Sequence, residues 1–212
     1  MSATDPDDDD ARDAVDELCA DFRMEAERER ERTPDVGIVM GSDSDLPTMR
    51  GASEALTDLK FAEVTDYDDP PAERFTFESY VVSAHRTPDL MYAYAETAEA
   101  RGLDVIIAGA GGKSADLPNM TASIAYPVPV IGVPVQEKSV DSVIGMPTGA
   151  PLTAVDAGKS YNAALSAAQV LAREHDELRE RLVELHDERR DGVADVSRRL
   201  HELGTPGFEE SG

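Results

Sequence analysis

Residues 36–45 read VGIVMGSDSD, an apolar run that changes abruptly into small and acidic residues. A short apolar run that ends at a turn signal is typical of a strand buried on both faces. The next residues, 45–59, repeat apolar side chains at helical spacing. This stretch therefore predicts a buried strand, a tight turn at Gly41 and a helix.

The same alternation of apolar run and helical pattern recurs along most of the chain. The predicted strands are 36–40, 77–82, 105–108 and 128–133. The predicted helices between them are 45–59, 88–101 and about 114–125. Apolar strands separated by helices of this length indicate an α/β fold, in which helices cover both faces of a parallel sheet.

The N-terminal region differs from this alternating part of the chain in composition. Residues 1–34 are dense in Asp, Glu and Arg and are predicted to be an acidic extension, disordered over 1–10. A helix is predicted over 13–32. It carries a thin apolar stripe of Val15, Leu18, Cys19 and Phe22.

The predicted α/β domain covers 35–190 and ends in one long helix from about residue 157. That helix is longer than a small sheet can cover, so we expect it to pack on another subunit. The domain also contains an exposed acidic loop at 62–76 and an irregular segment at 139–156. Residues 191–212 are expected to form a solvated acidic tail.

The net charge of −24 comes from 44 acidic and 20 basic residues. This balance argues against a nucleic-acid partner, because binding to phosphates requires a basic face. Acid excess with few lysines favours adaptation to high salt, where screening weakens self-repulsion. An ordinary acidic protein with disordered ends is the other interpretation. The lysines are Lys60, Lys113, Lys138 and Lys159.

The sequence predicts a cytoplasmic protein. No apolar run reaches membrane-spanning length, so no membrane partner is expected. The acidic start MSATDPDDDD lacks the basic and apolar parts of a secretory signal. A single cysteine, Cys19, agrees with a reducing compartment.

Ligands of open parallel sheets bind outside the carboxyl ends of the strands. Four segments follow the predicted strands and should meet there. They contain small residues, hydroxyls, one histidine and one arginine, which fits a small anionic ligand. The segments are GSDSD (41–45), SAHRTP (83–88), GAGGKS (109–114) and PVQEKS (134–139).

The GSDSD segment is predicted to bind phosphate. Gly41 allows a sharp turn, and the hydroxyls of Ser42 and Ser44 lie beside free amides at a helix start. Asp45 either caps that helix or holds sugar hydroxyls. A helix start with caps and no ligand is the alternative interpretation.

The third segment contains a misleading likeness to a nucleotide-binding loop. Its GKS sequence matches the end of G-x-x-x-x-G-K-[ST], but Ile107 stands where the first glycine is required. The dinucleotide pattern G-x-G-x-x-G fails at Ser114. We therefore expect no nucleotide hydrolysis, while Gly111 and Gly112 permit close approach of a flat ligand.

No metal site or cofactor is predicted. Three of the four histidines lie in the C-terminal helical region, without cysteine partners or the H-E-x-x-H spacing. They are expected to be solvated. They are His175, His186 and His201.

His85 is the candidate for acid–base chemistry. Histidine titrates near neutral pH and can give and recover a proton within one turnover. Arg86 beside it can bind a carboxylate or phosphate through two hydrogen bonds. Ser83 opens the same segment. The alternative is a structural histidine that is satisfied by hydrogen bonds.

Seven segments of the chain resemble the N5-carboxyaminoimidazole ribonucleotide mutase family of purine biosynthesis, and the resemblance over 36–172 covers about two thirds of the chain. These segments are GIVMGSDSDLPTM (37–49), VVSAHRTPD (81–89), DVIIAGAGG (104–112), LPNM (117–120), PVPVIGVPVQ (127–136), MPTGAP (146–151) and NAALSAAQVLA (162–172).

The resemblance implies a three-layer, flavodoxin-like domain that assembles into an octamer. It implies an enzyme that moves a carboxylate from the exocyclic nitrogen of a phosphorylated imidazole ribonucleotide to ring carbon 4, without ATP, metal or organic cofactor. His85 matches the catalytic histidine, and Arg86 matches a substrate-binding arginine. The other expected substrate contacts are Gly41, Ser42, Ser44, Asp45, Ser83, Gly111 and Gly112.

The chain departs from the family pattern in three loops. GAGGKSADLPNM is one residue longer than the usual GAGGAAHLPGM and has Asp116 in place of a histidine. Thr148 replaces an arginine, and the EKSVDS segment is short. Lys113 or Lys138 is expected to supply the missing positive charge.

Two alternatives to the mutase remain open. A related branch carboxylates the unmodified aminoimidazole ribonucleotide with free carbon dioxide; it also lacks the loop histidine but usually has lysine where Arg86 stands. A non-catalytic binder of phosphorylated ligands or flavin is the other alternative.

Overall fold

The computed structural model describes residues 6–30 and 33–209, with side chains described from residue 14 onward. The strands are β1 (Val36–Met40), β2 (Ala62–Glu63), β3 (Thr76–Val81), β4 (Val105–Ala110), β5 (Val130–Pro134) and β6 (Thr153–Ala154). The helices are α1 (Pro6–Glu25), α2 (Leu46–Asp58), α3 (Pro88–Thr97), α4 (Leu117–Ile124), α5 (Val140–Ile144), α6 (Ser160–Leu171) and α7 (Asp176–Glu209).

All six strands form one parallel sheet in the order β2-β3-β1-β4-β5-β6. Successive side chains of a strand point to opposite faces. Ile38 and Met40 of β1 accordingly pack in the core beneath α2 and α6, and Val39 packs in the core beneath α3 and α4. The predicted three-layer α/β fold with helices on both faces is confirmed.

Helix α1 is longer at its start and shorter at its end than predicted. It begins at Pro6, so residues 6–10 are helical instead of disordered; residues 1–5 lie outside the described residues. The predicted stripe is confirmed in part, because Cys19 and Phe22 are buried and α1 packs on α3, whereas Leu18 is exposed. This packing stabilises a helix that its acidic composition alone would not maintain.

The predicted long C-terminal helix is confirmed as α7, but it does not begin near residue 157 as expected, because a separate helix, α6, precedes it. α6 ends at Leu171, and a turn precedes α7. α6 packs against α2 and the sheet, whereas α7 contacts the core mainly through Leu178. α7 continues through Gly192, so the segment expected to be a tail after 190 is helical up to Glu209, with a non-helical residue at Gly204.

Sequence reasoning missed the shortest elements. β2 and β6 have two residues each and α5 has five, too few to show a periodic pattern. β2 lies at the start of the predicted 62–76 loop. Arg28 holds the rest of that loop through a hydrogen bond of 2.7 Å from Nη1 to the Tyr67 carbonyl.

A buried group of charges, the Arg101 cluster (Arg101, Glu25, Glu78 and Tyr67), joins α1 to the sheet. Arg101 Nε donates to Glu25 Oε2 at 3.0 Å, and Arg101 Nη2 donates to the Glu78 carboxylate. The Tyr67 hydroxyl also donates to Glu78. One cation thus serves two carboxylates, and burial raises the pKa of Glu25 to about 7.

Aromatic rings enclose this cluster. The Arg101 guanidinium lies 4.7 Å from the ring centre of Phe22 and 4.9 Å from that of Tyr94. Cation–π contacts of this kind gain strength where water is excluded. α1 is therefore attached to the domain by charge and aromatic contacts as well as by its apolar stripe.

Within the described part of the chain, no helix combines the length and apolar character that crossing a membrane requires.

Candidate active site

Four loops meet at the carboxyl edge of the sheet. The strand register places Met40 beside Val81 and Gly109, and Gly109 beside Val133. A cavity of about 220 Å³ opens between the loops that follow β1, β3, β4 and β5. Its lining contains the predicted residues Gly41, Ser42, Ser44, Asp45, Ser83, His85, Gly111 and Gly112.

The GSDSD loop presents two hydroxyls close together. Ser42 caps a short 3-10 turn over Asp43–Asp45, and its Oγ lies 3.2 Å from the Oγ of Ser44. The Ser42 hydroxyl donates to Asp43 Oδ1 at 2.9 Å, which lowers the pKa of the Asp43 carboxyl. The turn therefore gathers hydroxyls on the cavity wall beside an ionised carboxylate.

Asp45 ties the first loop to the third. Its side chain makes no cap hydrogen bond to α2; it accepts from the backbone amides of Gly111 and Ser42. Burial, at 6% exposure, raises the pKa of the Asp45 carboxyl, and these two hydrogen bonds lower it. A Cβ on Gly111 would lie 2.8 Å from Asp45 Oδ1, so this approach requires glycine.

Arg86 lies at the rim and does not line the cavity. Its Nη2 donates to the Gly41 carbonyl at 3.0 Å, which links the second loop to the first. Its backbone N–H donates to the Ser83 hydroxyl at 3.2 Å. The Ser83 N–H in turn donates to Thr87 Oγ1 at 3.0 Å. The SAHRTP loop is thus held by its own hydrogen bonds.

His85 projects into the cavity with 59% of its side chain exposed. Its Nε2 lies 3.0 Å from Asp116 Oδ2. The other oxygen of Asp116 accepts from Ser142 Oγ at 3.2 Å, and that Oγ accepts from the Ala115 N–H at 3.0 Å. His85 is therefore hydrogen-bonded without being buried, an arrangement that leaves its ring open to a ligand.

The family model described as AIR carboxylase matches residues 35–191. The chain belongs to this family. An N5-carboxyaminoimidazole ribonucleotide mutase from Thermotoga maritima is 41% identical over 177 residues, which cover 81% of this chain and 94% of that protein.

A second similar protein carries a different name. The phosphoribosylaminoimidazole carboxylase of Schizosaccharomyces pombe is 40% identical over 178 residues, which cover 81% of this chain and 29% of that longer protein.

A solved structure supports the fold of this family member. The crystal structure of Treponema denticola PurE superposes with a TM-score of 0.63 at 22% identity, covering 79% of this chain and 98% of that chain. At this identity the likeness concerns the fold alone, which agrees with the flavodoxin-like arrangement expected from the sequence.

Several cavity residues were not singled out by sequence reasoning. They follow a predicted strand or lie in the predicted helix after it, so their position in the chain pointed to the site although their residue type did not. Lys138 lines the cavity and Lys113 does not, so of the two candidate lysines Lys138 is the better placed. The lining residues that were not selected are Ala84, Ala110, Ser114, Leu117 and Gln136.

Two further residues at the site came from unexpected places. Asp116, whose role the sequence left undetermined, contacts His85 directly. Ser142 was missed because it lies in the short helix α5, within a segment predicted to be irregular. Thr148, which replaces the family's usual arginine, is exposed and does not line the cavity.

Proposed function

We propose that this protein converts N5-carboxyaminoimidazole ribonucleotide to 4-carboxy-5-aminoimidazole ribonucleotide, an isomerase reaction of purine biosynthesis. One observation carries this function above others: the chain covers 94% of a relative that is named for the mutase, at 41% identity. The cavity residues support it, because they offer the hydroxyls, carboxylate and imidazole that such a substrate needs.

The cavity suggests how the substrate is held. The paired hydroxyls of Ser42 and Ser44, 3.2 Å apart, suit a phosphate. Asp45, already oriented by Gly111, suits the hydroxyls of a ribose. Arg86 and Lys138 lie on two different loops and suit the substrate's anionic groups.

His85 is proposed as the single acid and base. The N–C bond of the carbamate breaks and its electron pair stays on the exocyclic nitrogen, which takes a proton from the His85 imidazolium as carbon dioxide leaves. Ring carbon 4 attacks the retained carbon dioxide with its π electrons, forming the new carboxylate. Neutral His85 then removes the proton from carbon 4, so no net proton is consumed.

Direct carboxylation is the second candidate, since the S. pombe relative is named a carboxylase. Arg86 counts against it, because that branch of the family usually carries lysine there. Binding of a phosphorylated ligand without turnover is the third. The mutase and the carboxylase differ in where the carboxylate of the product comes from, and the binder makes no product.

A labelling experiment separates the three functions. The substrate carries ¹³C in its carbamate, and the buffer contains unlabelled bicarbonate. The mutase retains the label in the product, and a carboxylase dilutes it with carbon dioxide from the buffer. The unmodified nucleotide with bicarbonate is the companion substrate. If the label is lost, or if neither substrate is converted, the mutase assignment is wrong.

We also propose that the protein is a homo-oligomer, an octamer by family resemblance. α7 extends beyond the domain and carries exposed apolar residues at spacings of three and four, which fits a second copy of the chain packing along it. Light scattering should give the octamer mass, and Leu200→Glu with Leu203→Glu should reduce it. An unchanged mass would rule out this surface. The exposed residues are Val193, Val196, Leu200 and Leu203.

We further propose that the protein is cytoplasmic and adapted to high salt. The net charge of −24 generates repulsion that salt screens. The melting temperature should therefore rise steadily from dilute buffer to molar potassium chloride. Full stability in dilute buffer would contradict this adaptation.

A further inference from the structure

His85 Nε2 lies 3.0 Å from Asp116 Oδ2, and which of the two atoms donates depends on the tautomer of the imidazole ring. We propose that Asp116 is a positioning residue for His85: its carboxylate holds Nε2–H, and Nδ1 is the nitrogen that exchanges the proton with the substrate. This deepens the proposed function, since the reacting proton matters only if His85 is the acid and base.

The chemistry of the pair requires this assignment. An ionised carboxylate only accepts hydrogen bonds, so the Nε2 that lies 3.0 Å from Asp116 Oδ2 must carry hydrogen. In the neutral ring the other nitrogen then holds the lone pair. Among the residues that the structure describes, His85 Nδ1 has no hydrogen-bond partner, so it is the nitrogen left to react.

Asp116 is itself held by Ser142, which two further hydrogen bonds fix in place. Ser142 Oγ donates to Asp116 Oδ1 at 3.2 Å, and the same Oγ accepts the Ala115 N–H at 3.0 Å. Asn119 Nδ2 donates to the Ser142 carbonyl at 2.7 Å, which joins α4 to α5. Two helices therefore aim one carboxylate oxygen at His85, as a positioning group requires.

Other charged groups surround the pair but do not replace Asp116. Arg86 precedes α3 and donates to the Gly41 carbonyl, and Asp45 accepts from Gly111. Lys138 lies on the loop after β5, across the cavity. Within the described residues, none of these three side chains makes a hydrogen bond to His85. Their charges act on the whole cavity, whereas Asp116 acts on one nitrogen.

The ring nitrogens report the tautomer directly. We would measure the ¹⁵N shifts of His85 in the substrate-free protein above neutral pH, assigned by comparison with His85→Asn. The wild type should show Nε2–H and an unprotonated Nδ1. In Asp116→Asn the amide can donate to Nε2, so the Nδ1–H tautomer should increase. An Nδ1–H tautomer in the wild type, or equal populations in both proteins, would overturn the inference.

Kinetics distinguish positioning from a structural role. Asp116→Asn should lower kcat by about 10²-fold while KM changes by less than about threefold, because the proton transfer is affected and binding is not. Unfolding curves of the two proteins should coincide.

Three companion variants complete the experiment. Asp116→Glu should recover part of the lost kcat, and Ser142→Ala should lower kcat by about three- to tenfold. Asp141→Asn, which removes an exposed charge from the same short helix, should leave kcat and the His85 tautomer unchanged.

If Asp116→Asn keeps both the kcat and the His85 tautomer of the wild type, the inference fails and the proposed function stands. If the wild type has no mutase turnover, the proposed function fails and the tautomer measurement still decides what Asp116 does.

Discussion

The Arg101 cluster and the His85–Asp116 pair contain similar contacts in opposite environments. Arg101 Nε lies 3.0 Å from Glu25 Oε2, and His85 Nε2 lies 3.0 Å from Asp116 Oδ2. The side chains of Arg101 and Glu25 are 0% and 6% exposed, and those of His85 and Asp116 are 59% and 41% exposed.

This difference in exposure separates structure from chemistry. A buried ion pair has lost its hydration, so removal of one partner leaves an uncompensated charge. An exposed pair is screened by water and salt and contributes little to stability. Its members can change protonation state without unfolding the domain. We therefore expect the Arg101 cluster to govern folding and the His85 pair to govern turnover.

The largest expected effect is on folding, from Arg101→Met. The substitution leaves Glu25 and Glu78 together in a buried site without a cation, and should lower the free energy of unfolding by about 3–5 kcal/mol. Denaturant titration in high salt measures it. The remaining folded fraction should keep its kcat. A loss below about 1 kcal/mol would mean that the cluster is dispensable.

His85→Asn should do the opposite of Arg101→Met, because it should lower turnover and leave stability unchanged. Turnover should fall by about 10²–10³-fold, since one group supplies both proton transfers. Substrate affinity by calorimetry should change little, and the free energy of unfolding should stay within about 0.5 kcal/mol because the side chain is exposed. Near wild-type activity would remove His85 from the mechanism.

Glu25→Gln tests whether the Glu25 carboxyl of the cluster gains a proton when the protein folds. The Glu25 carboxyl ordinarily titrates near 4.5, and burial raises its pKa in the folded protein to about 7. Folding therefore favours the protonated form of Glu25. The stability that this protonated carboxyl contributes is fully present below pH 4.5 and is lost as pH rises through about 7.

The variant lacks this titration. Between acid and mildly alkaline pH, the wild type should lose about 1–3 kcal/mol more stability than Glu25→Gln. The comparison uses denaturant titrations of both proteins at each pH, because other carboxyls contribute equally to both. Parallel pH curves would show that folding does not shift the pKa of Glu25.

The smallest effect is expected for Arg198→Gln, the control for charge contacts in general. Arg198 lies 2.6 Å from Asp195 on α7, and both side chains are exposed, at 67% and 71%. Its loss should change the free energy of unfolding by less than about 0.5 kcal/mol. A larger change would show that exposure alone does not distinguish the two regions.

Much of the site was predictable from where the strands end. Ser42, Asp45 and His85 follow predicted strands, and the carboxyl ends of parallel strands share one edge. Their meeting in one cavity is confirmed by the structure. Ser142 was not predictable in this way, since α5 has only five residues and the side chain reaches the site through Asp116.

In the N-terminal region, the prediction from sequence was incomplete for a different reason. Its acidic composition predicted partial disorder, and the apolar stripe with Cys19 and Phe22 was the correct signal for packing. The decisive contact, Glu25 with Arg101, joins residues 76 positions apart. Composition measures the average tendency of a segment and does not include a partner supplied by a distant part of the chain.

The sequence by itself determined the α/β class, the strand ends and therefore the four loops that form the cavity. These features depend on local periodicity, which a chain carries in its own spacing. Only the tertiary structure decided which charges meet. His85 and Asp116 are 31 positions apart, and their contact depends on how α4 and α5 pack against the sheet. Packing also decided that Arg101 is buried and His85 is open to solvent, and that difference separates a charge that supports the fold from one available for chemistry.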